Sequence, residues 1–170
     1  MSENKSVFAV LNDINVNEKA EKKNGLTYLS WAWAWGEVKK HYPGATFTIY
    51  ERETSTGPVN YFTDGRTCWV KTGITIEGLE HIEQLPVMDF RNNSIPLAQI
   101  TSTAVNKAIQ RSLTKAAARH GLGLYIYAGE DLPESEAEAV KREEAKRPKP
   151  KTEPKKEIGG VDVIDKIPDF

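Results

Sequence analysis

The chain has 170 residues, 23 Lys+Arg against 24 Asp+Glu, and a formal charge of -1 at pH 7, which bounds it to one modest domain with appendages. Its single cysteine, Cys68, excludes an intrachain disulfide framework and a cysteine-based zinc site, and a reducing cytosol is the natural compartment. The opening MSENKSVFAVLNDINVNEK holds no apolar run suited to a signal peptide or membrane span, so a soluble cytoplasmic protein is expected.

Residues 7–14 alternate loosely and fit a short helix or a strand, while the polar NVNEKAEKKNG that follows reads as a loop; residues 1–27 are set apart as an N-terminal segment. In YLSWAWAWGEVKKHYPG, Ser30 is placed to cap a helix and Pro43-Gly44 to stop it. Trp31, Trp35, Val38 and Tyr42 share one face of that helix and are expected in the core. Trp33 points elsewhere, so its ring is covered by another element, buried between subunits, or free to stack on a base.

Residues 45–53 (ATFTIYERE) alternate with Phe47 and Ile49 on one face, the pattern of a half-buried strand. Turns at 54–58 and at Asp64-Gly65, then strands over 59–62, 67–77 and 79–89, predict an antiparallel meander. Arg66 and Lys71 near its turns and strand ends could extend a cationic track, although Glu51, Glu53, Glu77, Glu80 and Glu83 share the region.

The most regular stretch is AQITSTAVNKAIQRSLTKAAARHGLGLYIY, residues 98–127. Thr101, Val105, Ala108, Ile109, Ser112, Leu113, Ala116 and His120 form one apolar helical stripe, and Gly121 is placed to end the helix. Lys107, Arg111, Lys115 and Arg119 recur every four residues away from that stripe. Residues 98–119 contain no Asp or Glu, so no carboxylate on the same helix neutralises the row. Such a row suits a polyanion, because each cation that neutralises a phosphate releases condensed counterions. A solvated helix face is the competing reading.

Beyond Ala128 the composition shifts. Through Ala128 there are 14 Lys+Arg against 12 Asp+Glu, and afterwards 9 against 12, so a slightly basic body carries an acidic tail. Residues 134–160 read as a charged, Pro/Lys-rich linker, expected to be disordered. The tip, VDVIDKIPDF, interleaves apolar and acidic residues in a form suited to docking on a partner. No GxxxxGK[ST] loop, HExxH, GxSxG or paired-Cys metal signature occurs, so no cofactor is expected and an ATPase is excluded. His41, His81 and His120 fall on separate predicted elements, with His120 read as a capping or packing residue.

Two blocks carry a family resemblance: YLSWAWAWGEV at 28–38 and LTKAAARHGLGLYIYAGEDLP at 113–133. They resemble the bacteriophage single-strand annealing proteins of the Sak type, in the superfamily that includes the eukaryotic Rad-fifty-two annealing protein. The resemblance implies an α+β fold in residues 28–133, an antiparallel β-hairpin sheet packed against a long helix in a β-β-β-α core. It also implies a non-enzymatic, ATP-independent protein of phage recombination that binds single-stranded DNA and pairs complementary strands, as a homo-oligomeric ring or filament. The family's DNA-contacting cations carry over to Lys115 and, along the same helix, to Lys107, Arg111 and Arg119. The tip resembles the acidic end of bacterial single-stranded-DNA-binding proteins, though Asp169 interrupts its Pro-Phe pair and Lys166 dilutes its charge. Through Asp162, Asp165, Ile167, Pro168 and Phe170 it would bind a replication or recombination protein or a phage nuclease, or fold back on the basic groove. The competing function is a non-catalytic coating protein of the replication type, for which a five-stranded barrel is expected.

Overall fold

The computed structural model describes residues 5–128; the expected linker and the tip with Asp162, Asp165, Ile167, Pro168 and Phe170 lie outside them. The fold is mixed α/β with antiparallel sheets. Residues 7–14 resolve as helix α1 (Val7–Asn12), because the Ser6 hydroxyl accepts from the Ala9 N–H at 3.2 Å and caps its first turn.

The segment expected to be a loop is a β-hairpin, β1 (Ala20–Lys23) paired antiparallel with β2 (Leu26–Leu29). Its turn is Asn24-Gly25, with φ of 52° and 77°, the all-positive conformation that matches the right-handed twist of two-residue hairpins. Helix α2 (Trp31–His41) is capped by Ser30, whose hydroxyl accepts from the Trp33 N–H, and ends at His41, two residues before Pro43. Its buried residues are Ala34 and Val38. Trp31, expected in the core, is 45% exposed, and the smaller Ala34 and Val38 form the buried face instead.

The four-stranded sheet is built on β5 (Cys68–Ile76). One edge pairs along its whole length with β6 (Leu79–Pro86), and the other with β3 (Thr46–Ile49) and β4 (Phe62–Thr63). The strands are antiparallel as expected, but β3 and β4 both pair with β5 rather than with each other, so the sheet departs from the expected meander, and each strand is shorter than its expected range. Cys68, Val70, Thr72, Ile74 and Ile76 form the buried face of β5. Against β5 and β6 packs the long helix α3 (Ser102–Arg119). It starts later than expected, because Leu97–Gln99 is a separate 3-10 turn and Thr101 is the N-cap, its hydroxyl accepting from the Ala104 N–H.

Helix α3 ends in two reverse hydrogen bonds, Gly121 N–H to Ala118 C=O at 2.8 Å and Leu122 N–H to Ala117 C=O at 3.3 Å. Gly121 has φ +116°, and a Cβ there would meet the Phe8 carbonyl oxygen at 2.6 Å, so the helix end and α1 approach closely only because this residue is glycine. Two apolar clusters result. One gathers Leu11, Leu29, Val38, Ile74, Ala116 and Leu122; the other gathers Val70, Leu85, Val87, Val105, Ala108 and Ile109. Partly buried Leu113 packs against both. The buried Thr72 and Ser112 hydroxyls share a 2.8 Å hydrogen bond across the sheet–helix interface.

Candidate nucleic-acid interface

Helix α3 buries Val105, Ala108, Ile109, Ser112, Ala116 and its neighbours, which forces the four-residue cation row toward its other flank. The β1–β2 hairpin lies beside that flank. The Arg111 guanidinium sits 4.7 Å from the centroid of the Tyr28 ring, and the Lys115 ammonium 5.2 Å from that of Tyr127. Thr27, Tyr28, Arg111, Thr114, Lys115 and Tyr127 line a small cleft here. Four residues, about 6 Å of rise, separate successive cations of the row. A cation held on an aromatic face keeps its charge and much of its donor edge for an anion, while the ring limits its rotamers.

The other residues singled out from sequence do not share one surface. Lys107 is exposed one turn before Arg111. Arg119 is ion-paired with Glu83 of β6, so the expectation of a row without carboxylate partners is corrected there. The helix has no acid of its own; the register of β6 brings one across. Arg66 is exposed in the turn after Gly65, where the Asp64 carboxylate accepts from the Arg66 and Thr67 N–H groups at 2.9 Å each. Those bonds hold the Asp64 carboxyl below the usual carboxylate range.

Lys71 alternates with the buried residues of β5 and therefore projects from the sheet face opposite α3, its ammonium 4.6 Å from the Tyr50 ring. Trp33 is half-buried and packs against the first apolar cluster.

Between α2, β3 and α3 opens an apolar groove of about 340 Å³ walled by Trp31, Trp35, Phe47, Ile74, Leu113 and Ala117. Phe47, on its rim, is 50% exposed, and its ring meets Trp35 edge-on at 5.4 Å.

At the C-terminal end of α3, buried His120 bonds through Nε2 to the Ile74 carbonyl at 2.7 Å and lies 4.3 Å, ring to ring, from His81. The carbonyl must accept, so Nε2 carries the proton. Burial pushes the His120 pKa down, with the Ile74 bond opposing and His81 adding to the fall. This is a packing histidine. Cys68 is buried and its thiol is pushed up by burial, which suits a core residue rather than a nucleophile. Among the described residues, no group of three or more His, Cys, Asp or Glu is placed to hold a metal ion, and no helix is long and apolar enough to cross a membrane.

Sequence reasoning missed Tyr28, Tyr127 and the hairpin that carries the first of them. The signal was present: Asn24-Gly25 is a strong hairpin turn, and both tyrosines lie inside the two blocks quoted above. The meeting of Tyr28 with Arg111 depends on contacts between distant parts of the chain, and that of Tyr127 with Lys115 on the chain reversal after Gly121.

No curated protein and no solved structure gives a significant match. The family model described as Sak Single Strand Annealing Protein matches residues 5–163, nearly the whole sequence. The chain therefore belongs to the Sak family of single-strand annealing proteins.

Proposed function

We propose that this protein binds single-stranded DNA along the hairpin-facing flank of α3 and anneals complementary strands without nucleotide hydrolysis, in phage recombination inside the host cytoplasm. The observation that carries the reading is the pairing of Arg111 with Tyr28 and Lys115 with Tyr127, one turn apart on a helix with no acid of its own. Cations of this kind hold phosphates, which fixes a strand's path without reading its sequence. Base edges then stay open to test a second strand. Duplex stacking supplies the driving force, so no catalytic group is required. Lys107 extends the track toward the start of α3, and Arg119 joins it only if released from Glu83.

The arrangement of strands followed by α3 is consistent with the β-β-β-α core of the wider superfamily, whereas a coating protein of the replication type called for a five-stranded barrel. A slightly basic body gives modest affinity per subunit. A homo-oligomeric ring or filament offsets this, because linked sites along one strand add by avidity. Trp31 and Phe47, half-exposed beside an apolar groove, are surface of the kind that contacts between copies cover.

The test is a fluorescence annealing assay with complementary oligonucleotides and no ATP. The parent protein speeds annealing. The double variant Arg111→Ala, Lys115→Ala loses single-strand affinity by roughly ten- to hundredfold at low salt. Its log-affinity against log-salt slope flattens by about 1.4, some 0.7 per phosphate contact on a single strand. A folded double variant with unaltered affinity and slope refutes the assignment.

A further inference from the structure

Phe90 is the most exposed large apolar side chain among the described residues, at 75%. Its loop is nevertheless tightly built. The Asp89 carboxylate accepts from the Arg91 and Asn93 N–H groups at 2.8 and 2.9 Å, and these bonds, that to Asn93 foremost, hold its pKa below the usual carboxylate range. Backbone bonds join Asp89 N–H to Asn93 C=O at 2.9 Å and Asn92 N–H to Asp89 C=O at 3.0 Å, with Asn92 at φ +63°.

The loop is also tied to the β1–β2 hairpin. The Asn24 amide donates to the Phe90 carbonyl at 2.7 Å, and the Asn92 amide donates back to the Asn24 carbonyl at 3.0 Å. The Tyr28 hydroxyl reaches the Asn92 side-chain oxygen at 3.5 Å. Phe90 is thus a solvent-facing ring on a braced support, linked through Asn92 to Tyr28, the ring over which Arg111 lies. Beside it, the Arg91 guanidinium lies 5.1 Å from the Phe90 centroid.

From this geometry we infer that Phe90 is a base-stacking platform of the same interface, with Arg91 supplying a cation for an adjacent phosphate; the inference rests on the single-strand reading above. Every base offers a π-face, so stacking on a phenyl ring is indifferent to sequence. A base held by its face also keeps its Watson–Crick edge outward, the edge a second strand must test. An annealing protein needs that geometry, whereas hydrogen bonds to base edges would obstruct pairing. The bracing of the loop matters too, because a ring held in place loses little conformational freedom when a base lands on it.

The experiment compares the full-length parent, Phe90→Ala, Phe90→Trp and the Arg111→Ala, Lys115→Ala variant. Binding is measured by fluorescence anisotropy to a dT oligonucleotide and to an abasic deoxyribose-phosphate strand of equal length, with assembly mass followed by light scattering. Phe90→Ala is expected to weaken dT binding by roughly tenfold, a typical loss for one stacked base. It leaves abasic binding and assembly mass as in the parent, and Phe90→Trp restores dT binding. An equal loss on the abasic strand, or no loss on dT, overturns the stacking role. A fall in assembly mass overturns it in favour of a contact between copies. The double variant separates the two claims. If it binds less well while Phe90→Ala does not, stacking alone fails; if it binds like the parent, the α3 interface fails and the shared site with it.

Discussion

Arg111 and Arg119 are the same residue type on the same helix, two turns apart, yet their surroundings give them opposite partners. Arg111 lies over the Tyr28 ring, with no carboxylate at ion-pair distance among the described residues, whereas Arg119 is spent on Glu83. The hairpin side offers aromatic faces; the β6 side offers acids and imidazoles. A cation on a ring still presents charge to a phosphate, while one on a carboxylate must first exchange partners. The regular spacing of a basic row therefore says little about which members are available. That is decided by the elements packed on either flank.

The largest expected effect in this comparison is the loss of single-strand affinity when Arg111 and Lys115 are both removed. Next comes an attempt to make the two ends alike. Glu83→Gln removes the negative charge that holds Arg119, and salt titrations should show affinity rising by about two- to fivefold with a slope steeper by about 0.7, one further phosphate contact. No steepening would mean that Arg119 stays off the strand's path.

A third effect is on stability. Burial holds the folded-state pKa of His120 below that of the unfolded chain, so folding favours the neutral ring. Its contribution is complete above the unfolded value of about 6.5 and is lost as pH falls from there through the lower folded value. His81, 4.3 Å away, adds repulsion once both rings are charged. The melting temperature should drop between pH 7 and pH 5, and His120→Gln should flatten that part of the profile. An unchanged profile in the variant assigns the drop to other groups.

The smallest effect belongs to Arg119→Ala. Binding should stay within about twofold of the parent, and stability should fall by at most about 1 kcal/mol, as for a partly exposed ion pair. Arg119 is 54% exposed and Glu83 14%, so solvent screens one side of the pair.

Much of the architecture was legible in the sequence because local chemistry sets it. Ser30, Pro43, Asp64-Gly65 and Gly121 mark the ends of elements by backbone preference, and the period of α3 fixes its buried stripe. What could not be read there depends on long-range pairing. Glu83 faces the helix because β6 is in register with β5 through Thr72, and sequence spacing carries no record of that alignment. Periodicity places Trp31 on the core-facing side of its helix, but it identifies a face and not how far the neighbouring element extends over it. The hairpin at Asn24-Gly25 is hard to read for a different reason: β1 is Ala-Glu-Lys-Lys, partly or fully exposed along its length, so apolar alternation is missing and only the turn dipeptide announces it.

The hydrogen bond between Thr72 and Ser112 has one further consequence. Apolar contacts of about the right size specify an alignment less uniquely than paired polar groups do. Paired hydroxyls narrow that freedom, since another alignment breaks the bond and leaves the buried Thr72 hydroxyl to find a new partner in a dry interior. Ser112 adjoins Arg111 in sequence, so the bond that indexes helix to sheet also sets where the cation beside it comes to rest over the hairpin.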